Sequence, residues 1–434
     1  MPRPRVSILT LGCRVNQYES DAMRGRLSTD YTIADADAPE TDVILLNACT
    51  VTALAEKKAR QTARRARRAH PDAVIVVVGC LADAVAQGLT RFAEADVLAG
   101  NAWKGRIEEA VAAALDGGRG LLPTIGPGSL SRERADGPSG RVRAFLKIQD
   151  GCSRACTYCR TTQVRGDPRS KPLNDIVREA ADLVVGGYPE IVLTGINLAE
   201  YAAGDASLAD AVRAVFGVDD LKRLRLASID PSGVTEDLLD AIASDPRACR
   251  HLHVPLQSGD DGVLRRMARG YSAAEYLAAI DRARDRLPDA TFGADVIVGF
   301  PGEDDDAFAA TCGVVDRVGY VNLHVFRYSV RPGTPAARLD DDVPGDVKHR
   351  RSDAVIARWR DGLRKLLDKR IGSIQHVLVE ERRGAVWQGY SDDYVPIRFA
   401  SSAALTIGSI VPVRIAHAGE QHLEGVHDDR ADAG

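Results

Sequence analysis

Cys152, Cys156 and Cys159 are spaced Cys-x3-Cys-x2-Cys in a loop that follows the apolar run Phe145 to Ile148. A short apolar run of this kind predicts a buried strand, which puts the thiols at a strand's carboxyl end. Thiolates are the soft ligands of iron–sulfur clusters, and a four-iron cube held by three of them keeps one iron open to an exchangeable ligand. A structural zinc loop uses the same ligands but closes with a fourth Cys or His nearby, and none follows Cys159 closely. Three more cysteines, Cys13, Cys49 and Cys80, each end a β-branched apolar run, over 5–11, 43–48 and 74–79. Continuous apolarity suggests parallel strands covered on both faces, whose carboxyl ends share one rim where ligands gather. Side by side, such strands bring three thiols together across long stretches of sequence. The competing reading is three unrelated buried cysteines, a common fate of the residue; the recurrence of one structural position favours a second cluster. Cys249 and Cys312 lie outside both sets and read as small buried residues.

The elements that must position these thiols can be read along the chain. Helical patterns follow each of the first three strands, which predicts an open α/β domain over 1–125. Residues 126–140 have the Gly/Pro/Ser composition of a linker. From 141 to 371 strands and helices alternate six times, which fits an incomplete (β/α)6 barrel with its site at the carboxyl ends of the strands. Those ends name Asp150 with the cysteine loop, Thr194, Gly195, Asn197, Ser228, Asp230, Gln257 and Gly299. The glycines admit close backbone approach, and Asn197, Ser228, Asp230 and Gln257 offer hydrogen bonds suited to an amino acid or a ribose. Singly each also serves an ordinary turn; together they predict a polar pocket beside the cysteine loop. A long basic amphipathic helix over 347–370 is expected to connect domains. Short strands from 372 to 427 suggest a small antiparallel β-barrel, with Tyr390 and Tyr394 as stacking faces for RNA, or else a stability module. Residues 428–434 read as a frayed tail.

Composition narrows the class. The 434 residues are 45% hydrophobic and 27% charged with a formal net charge of −4, which excludes wholesale disorder and leaves any nucleic-acid contact to a local patch. One such patch lies on the helix predicted over 53–70. On a helical wheel Lys57, Lys58, Arg60, Arg64, Arg65, Arg67 and Arg68 occupy one half and small alanines the other. Surface charge runs are usually solvated faces, but seven cations offset only by Glu56 and placed just after Cys49 suit phosphate contact. No apolar run approaches a membrane span, the N-terminus lacks a signal-peptide core, and eight cysteines without a secretory context point to metal chemistry. A cytoplasmic protein with no membrane partner is expected.

With Tyr158 before the last cysteine, the Cys152–Cys159 loop resembles that of the radical S-adenosylmethionine (AdoMet) enzymes. Leu11-Gly12-Cys13-Arg14-Val15-Asn16-Gln17, Asn47-Ala48-Cys49-Thr50, Val78-Gly79-Cys80, residues 251–259, 295–303 and 324–335 are similar to the motifs of the methylthiotransferases. The resemblance covers nearly the whole chain. It implies an N-terminal three-cysteine domain, a radical AdoMet barrel and a C-terminal RNA-binding TRAM barrel. It further implies two [4Fe-4S] clusters, one on Cys13, Cys49 and Cys80 and one on Cys152, Cys156 and Cys159, with AdoMet held at the latter near Tyr158. Methyl transfer to a sulfur at the first cluster and a 5′-deoxyadenosyl radical made at the second would together place methylthio on an inert ring carbon. The residues around Cys13, Cys49 and Tyr328 look most like the branch acting on tRNA with N6-threonylcarbamoyladenosine at position 37. The isopentenyladenosine and ribosomal-protein branches are the alternatives, and an RNA-binding protein with purely structural clusters is a different class. The resemblance implies an electron donor such as flavodoxin or ferredoxin. Two departures stand out: Arg160 to Gln163 replace an apolar run ending in proline, and Arg327 stands where proline is common. They bear on the packing around AdoMet and substrate.

Overall fold

The structure is a computed structural model that describes residues 3–35, 38, 40–135 and 140–428. Part of the expected linker (136–139) and all but the first residue of the expected tail lie outside the described residues.

The N-terminal sheet has six parallel strands in the order Thr32–Ala34, Arg5–Leu11, Val43–Ala48, Val74–Val78, Val97–Ala99, Gly120–Leu121. Its central strands are apolar on both faces because both are covered. Val43, Leu45, Val76 and Val78 join one core cluster, whereas Ile44, Leu46, Ile75 and Val77 join another. The second receives Ala59, Ala63 and Ala66 of the helix Ala53–Ala69, whose small face allows close packing.

The barrel strands Arg143–Lys147, Glu190–Thr194 and Arg223–Leu226 form one parallel sheet, and His251–His253, Thr291–Val298 and Asn322–Arg327 another. Parallel bridges Leu224–Ala248 and Ser228–His253 join them into one arc. Among the described residues the first and last strands do not pair, so the barrel is open along one side. Alternation along Thr291–Val298 assigns its faces. Phe292, Ala294, Val296 and Val298 belong to the main core, and Arg284 of the helix Ala273–Arg286 lies over Phe292. Gly293, Asp295 and Ile297 therefore point into the lumen. By the same registers Arg143, Glu190, Arg225, His251, His253, His324 and Phe326 also face it.

The helix Arg14–Leu27 packs against the strand Arg143–Lys147, at the open side. The described part of the expected linker, up to Ala135, is tied down rather than slack. Leu130 and Ala135 are buried, the Ala135 amide donates to Glu179, and the Tyr18 hydroxyl donates to the Glu133 carbonyl. The 24-residue helix Gly345–Asp368 buries Val355 in the barrel core and Leu363 and Leu367 in the C-terminal core. That last core lies inside a closed five-stranded barrel, Ile374–Arg383, Val386–Ser391, Pro396–Ala400, Leu423–His427 and Ile410–Ala418.

Candidate active site at the domain junction

Cys49 follows directly on its strand, whereas Cys13 and Cys80 each lie one residue beyond theirs, Cys80 opening the helix Cys80–Ala86. The Gly-Cys pairs have a steric origin. Gly12 has φ +139°, and a Cβ there would lie 2.8 Å from the Cys49 Cβ; Gly79 has φ +99°, and a Cβ would lie 2.9 Å from the Lys104 Nζ. Only glycine lets these turns pass so close. The three thiols sense one another's charge, and the Arg165 guanidinium faces Cys13, Cys49 and Cys80. Desolvation by the surrounding protein raises the Cys13 thiol, although the residue is exposed at the rim, and burial pushes Cys49 up to about 12. Thiolates in such a place need a metal's positive charge.

The barrel triad is similar. Burial pushes Cys152 up to about 11 and also raises Cys159. Backbone amides are already aimed at sulfur: Arg154 N–H to Cys152 at 3.4 Å, Thr161 N–H to Cys159 at 3.3 Å, and Val51 N–H to Cys49 at 3.4 Å in the other set. The Arg269 guanidinium donates to the Cys156 Sγ at 3.2 Å. All eight cysteines are free. Amide-decorated, unpaired thiols with cations behind them fit cluster ligation at both triads.

A buried polar chain links the two triads. The Cys13 Sγ and the Arg165 Nη2 both donate to the Asn16 Oδ1, at 3.4 Å each; the Arg165 Nη1 donates to Asp150 at 2.9 Å, and Asp150 accepts the Gly151 amide at 2.8 Å, next to Cys152. Glu19 binds Lys104, Lys147 and Arg165, all at most 2% exposed. Burial alone would raise Glu19, but Arg165, Lys104 and Lys147 outweigh it and hold the carboxyl well below its ordinary value.

The expected AdoMet residues fall into two groups. Asn197 sits beside the cysteine loop, its Nδ2 3.8 Å from the Cys152 Sγ and 2.9 Å from Glu200. Gln257 is buried with φ +65°, a conformation unusual outside glycine, and lies at the lumen wall through its bridge to Val296. Thr194 is buried at the end of the strand Glu190–Thr194, Ser228 is half-buried, and Tyr158 packs edge-on to Phe300. Three others are engaged by protein. Gly195 abuts Gln149, whose side chain accepts the Asn197 amide and donates to the Asp150 and Gly151 carbonyls. Asp230 pairs with both Arg154 and Arg269, and Gly299 packs under Lys348. Gln149 and Arg269 order the cysteine loop directly, yet nothing in their spacing marks them in the sequence.

Three of the seven cations on the basic helix are paired within the protein. Arg60 and Arg64 pair with Glu94, and Arg67 with Asp96. Counting charges along the helix alone misses these acids on the neighbouring segment. Lys57, Lys58, Arg65 and Arg68 are exposed and, among the described residues, make no ion pair. Glu56 turns away to Arg160 and Arg331. That explains one departure: Arg160 is buried at the junction and also donates to the carbonyl of Pro332 at 3.1 Å, while Gln163 reaches Gly333. Arg160, through Glu56 and the Leu89 carbonyl, thereby binds the N-terminal domain to the barrel. Arg327 is exposed, 3.4 Å from His349. Tyr390 and Tyr394, expected as stacking faces for RNA, are half-buried. They stack on each other at 5.1 Å, and Tyr394 lies against His251, Arg143 and Arg225 at the lumen floor.

Two family models match the chain: Radical SAM superfamily over residues 146–314 and Uncharacterized protein family UPF0004 over 5–100. The chain is 35% identical over 422 residues to a threonylcarbamoyladenosine tRNA methylthiotransferase MtaB of Chlamydia pneumoniae, covering 96% of this chain and 97% of that protein. It belongs to the radical AdoMet methylthiotransferase family. A methylthiotransferase of the same description from Thermotoga maritima is 34% identical, covering 98% of this chain and 97% of that protein. A tRNA-2-methylthio-N(6)-dimethylallyladenosine synthase of Alkalilimnicola ehrlichii is also 34% identical, covering 99% of both. Among solved structures, a radical AdoMet methyltransferase, TsrM, from Kitasatospora setae shares the fold with TM-score 0.57 at 15% identity, covering 77% of this chain and 75% of that one. As a radical AdoMet methylthiotransferase the chain is an enzyme that uses a [4Fe-4S] cluster and AdoMet. No helix among the described residues is long and apolar enough to cross a membrane.

Proposed function

We propose that this methylthiotransferase converts N6-threonylcarbamoyladenosine at tRNA position 37 to its 2-methylthio derivative. Cys152, Cys156 and Cys159 would hold one [4Fe-4S] cluster and Cys13, Cys49 and Cys80 a second. When bound, the first supplies the electron that cleaves AdoMet and the second supplies the sulfur side of the transfer. The chain's own part is positional. Asn16, Arg165 and Asp150 tie the two triads together, and the helix Arg14–Leu27 sets Cys13 over the open side of the barrel. Lys57, Lys58, Arg65 and Arg68 would meet tRNA phosphates, and a flavodoxin- or ferredoxin-like protein would deliver electrons in the cytoplasm.

The substrate reading rests on the lumen. Arg14, next to Cys13, reaches the floor and donates to the Tyr394 hydroxyl at 3.1 Å, with no ion-pair partner among the described residues. His253 and His324 line the wall above. An unpaired cation with imidazoles suits an adenine substituent that ends in a carboxylate and hydroxyl, and wastes its desolvation on an isopentenyl group. The near-equal identity to both kinds of relative makes isopentenyladenosine the second reading. Reconstituted protein incubated with AdoMet, reductant and either modified tRNA, followed by nucleoside mass spectrometry, tests this. The 2-methylthio product should form on the threonylcarbamoyl substrate; product only on the isopentenyl substrate would overturn the reading.

A further inference from the structure

His253, Asp295 and His324 come from three adjacent strands and converge in the barrel lumen, apart from both cysteine triads. One ligand atom from each lies within 4.8 Å of the others. The His324 Nδ1 is 2.9 Å from one Asp295 oxygen and the His253 Nε2 is 3.4 Å from the other. A tetrahedral ion with bonds near 2.0–2.1 Å separates its ligands by about 3.3 Å, so these gaps already approximate a coordination edge. A second observation concerns His253 alone. The residue is 6% exposed, yet its Nε2 has no hydrogen-bond partner of good geometry and points at the cluster. An orphaned buried nitrogen is costly unless something outside the protein pairs it. The site is also sterically prepared. A Cβ at Gly293 would lie 3.0 Å from the His253 Nδ1, so the bare backbone there is what admits the ring.

We propose that His253, Asp295 and His324 bind a divalent transition-metal ion such as Zn2+ in the lumen of this enzyme. Two imidazoles and one carboxylate on one side are a donor set for such ions and leave positions open. The His324 side chain is half exposed, so the three ligands are reachable from solvent. An oxygen-bearing adenine substituent could complete the coordination; this consequence rests on the substrate reading above, whereas the ion site does not.

The test is equilibrium dialysis of the cluster-loaded full chain against micromolar Zn2+, with bound zinc and iron both measured by mass spectrometry. Wild type should carry one more zinc per chain than Asp295→Asn or His324→Ala, at equal iron content. Equal zinc in all three, or none in wild type, would overturn the proposal. If His324→Ala loses iron and so reports misfolding, His324→Gln, which preserves side-chain bulk at a half-exposed position, takes its place under the same criterion. Because the readout is metal content, it stands whichever modified adenosine proves to be the substrate.

Discussion

Glu19→Gln is the sharpest single perturbation of the junction. Glu19 and its partners Lys104, Lys147 and Arg165 are buried, and Asp150 and Glu133 are the remaining acids of the network. The substitution keeps the shape and removes the charge, leaving three buried cations with two acids plus the part-exposed Arg169. Breaking a buried ion network by deleting one partner costs about 3–5 kcal/mol. For domains of 150–250 residues each kcal/mol shifts Tm by 2–4 °C, so the loss is roughly 6–20 °C. Differential scanning calorimetry of the cluster-loaded protein should show this shift on the transition that contains the barrel. Asp237→Asn, which breaks the exposed Arg213–Asp237 pair, serves as the control and should cost less than about 1 kcal/mol. A Glu19→Gln shift no larger than the control would refute the claim that this network holds the two triads in register.

Glu190 lies buried at the lumen floor, where burial raises its carboxyl but Arg225, Arg143 and Arg223 outweigh it and hold it at about 2. Its stabilisation is therefore full above the ordinary carboxylate range and is lost as pH falls from about 4.5 toward about 2; Glu190→Gln should lower Tm at pH 7 and flatten its fall through that window. Replacing Lys57, Lys58, Arg65 and Arg68 with Ala should weaken tRNA binding and flatten the slope of log affinity against log salt by up to about 3.6, as read by filter binding. The same change to Arg60, Arg64 and Arg67 should act mainly on Tm, through Glu94 and Asp96. Gly12→Ala places a Cβ against Cys49; iron analysis should show loss of the N-terminal share while the barrel share remains.

Both cysteine triads, the three-part architecture and the open barrel were legible because each leaves a periodic or spaced trace. Gly12 and Gly79 mark the turns, and apolar runs mark the covered strands. What stayed hidden depends on partners remote in sequence. Glu94 and Asp96 pair with three of the seven cations on a helix face that reads as uniformly basic on its own. Arg160 looks like a fault in an AdoMet pocket until Glu56, 104 positions earlier, is seen beside it. Tyr390 and Tyr394 carry the composition of an RNA surface but plug the lumen, since register and not residue type decides which way a strand's side chain points. The His253–Asp295–His324 convergence needs the register of three parallel strands at once.

The central claim is that two separate cysteine triads serve two different steps. Its most direct measurement is iron content, 5′-deoxyadenosine release and methylthio product in a Cys13→Ala, Cys49→Ala, Cys80→Ala variant of the full chain. The account predicts that half the iron remains, AdoMet is still cleaved, and no methylthio nucleoside forms. Full iron retention, or product formation without those three thiols, would contradict it.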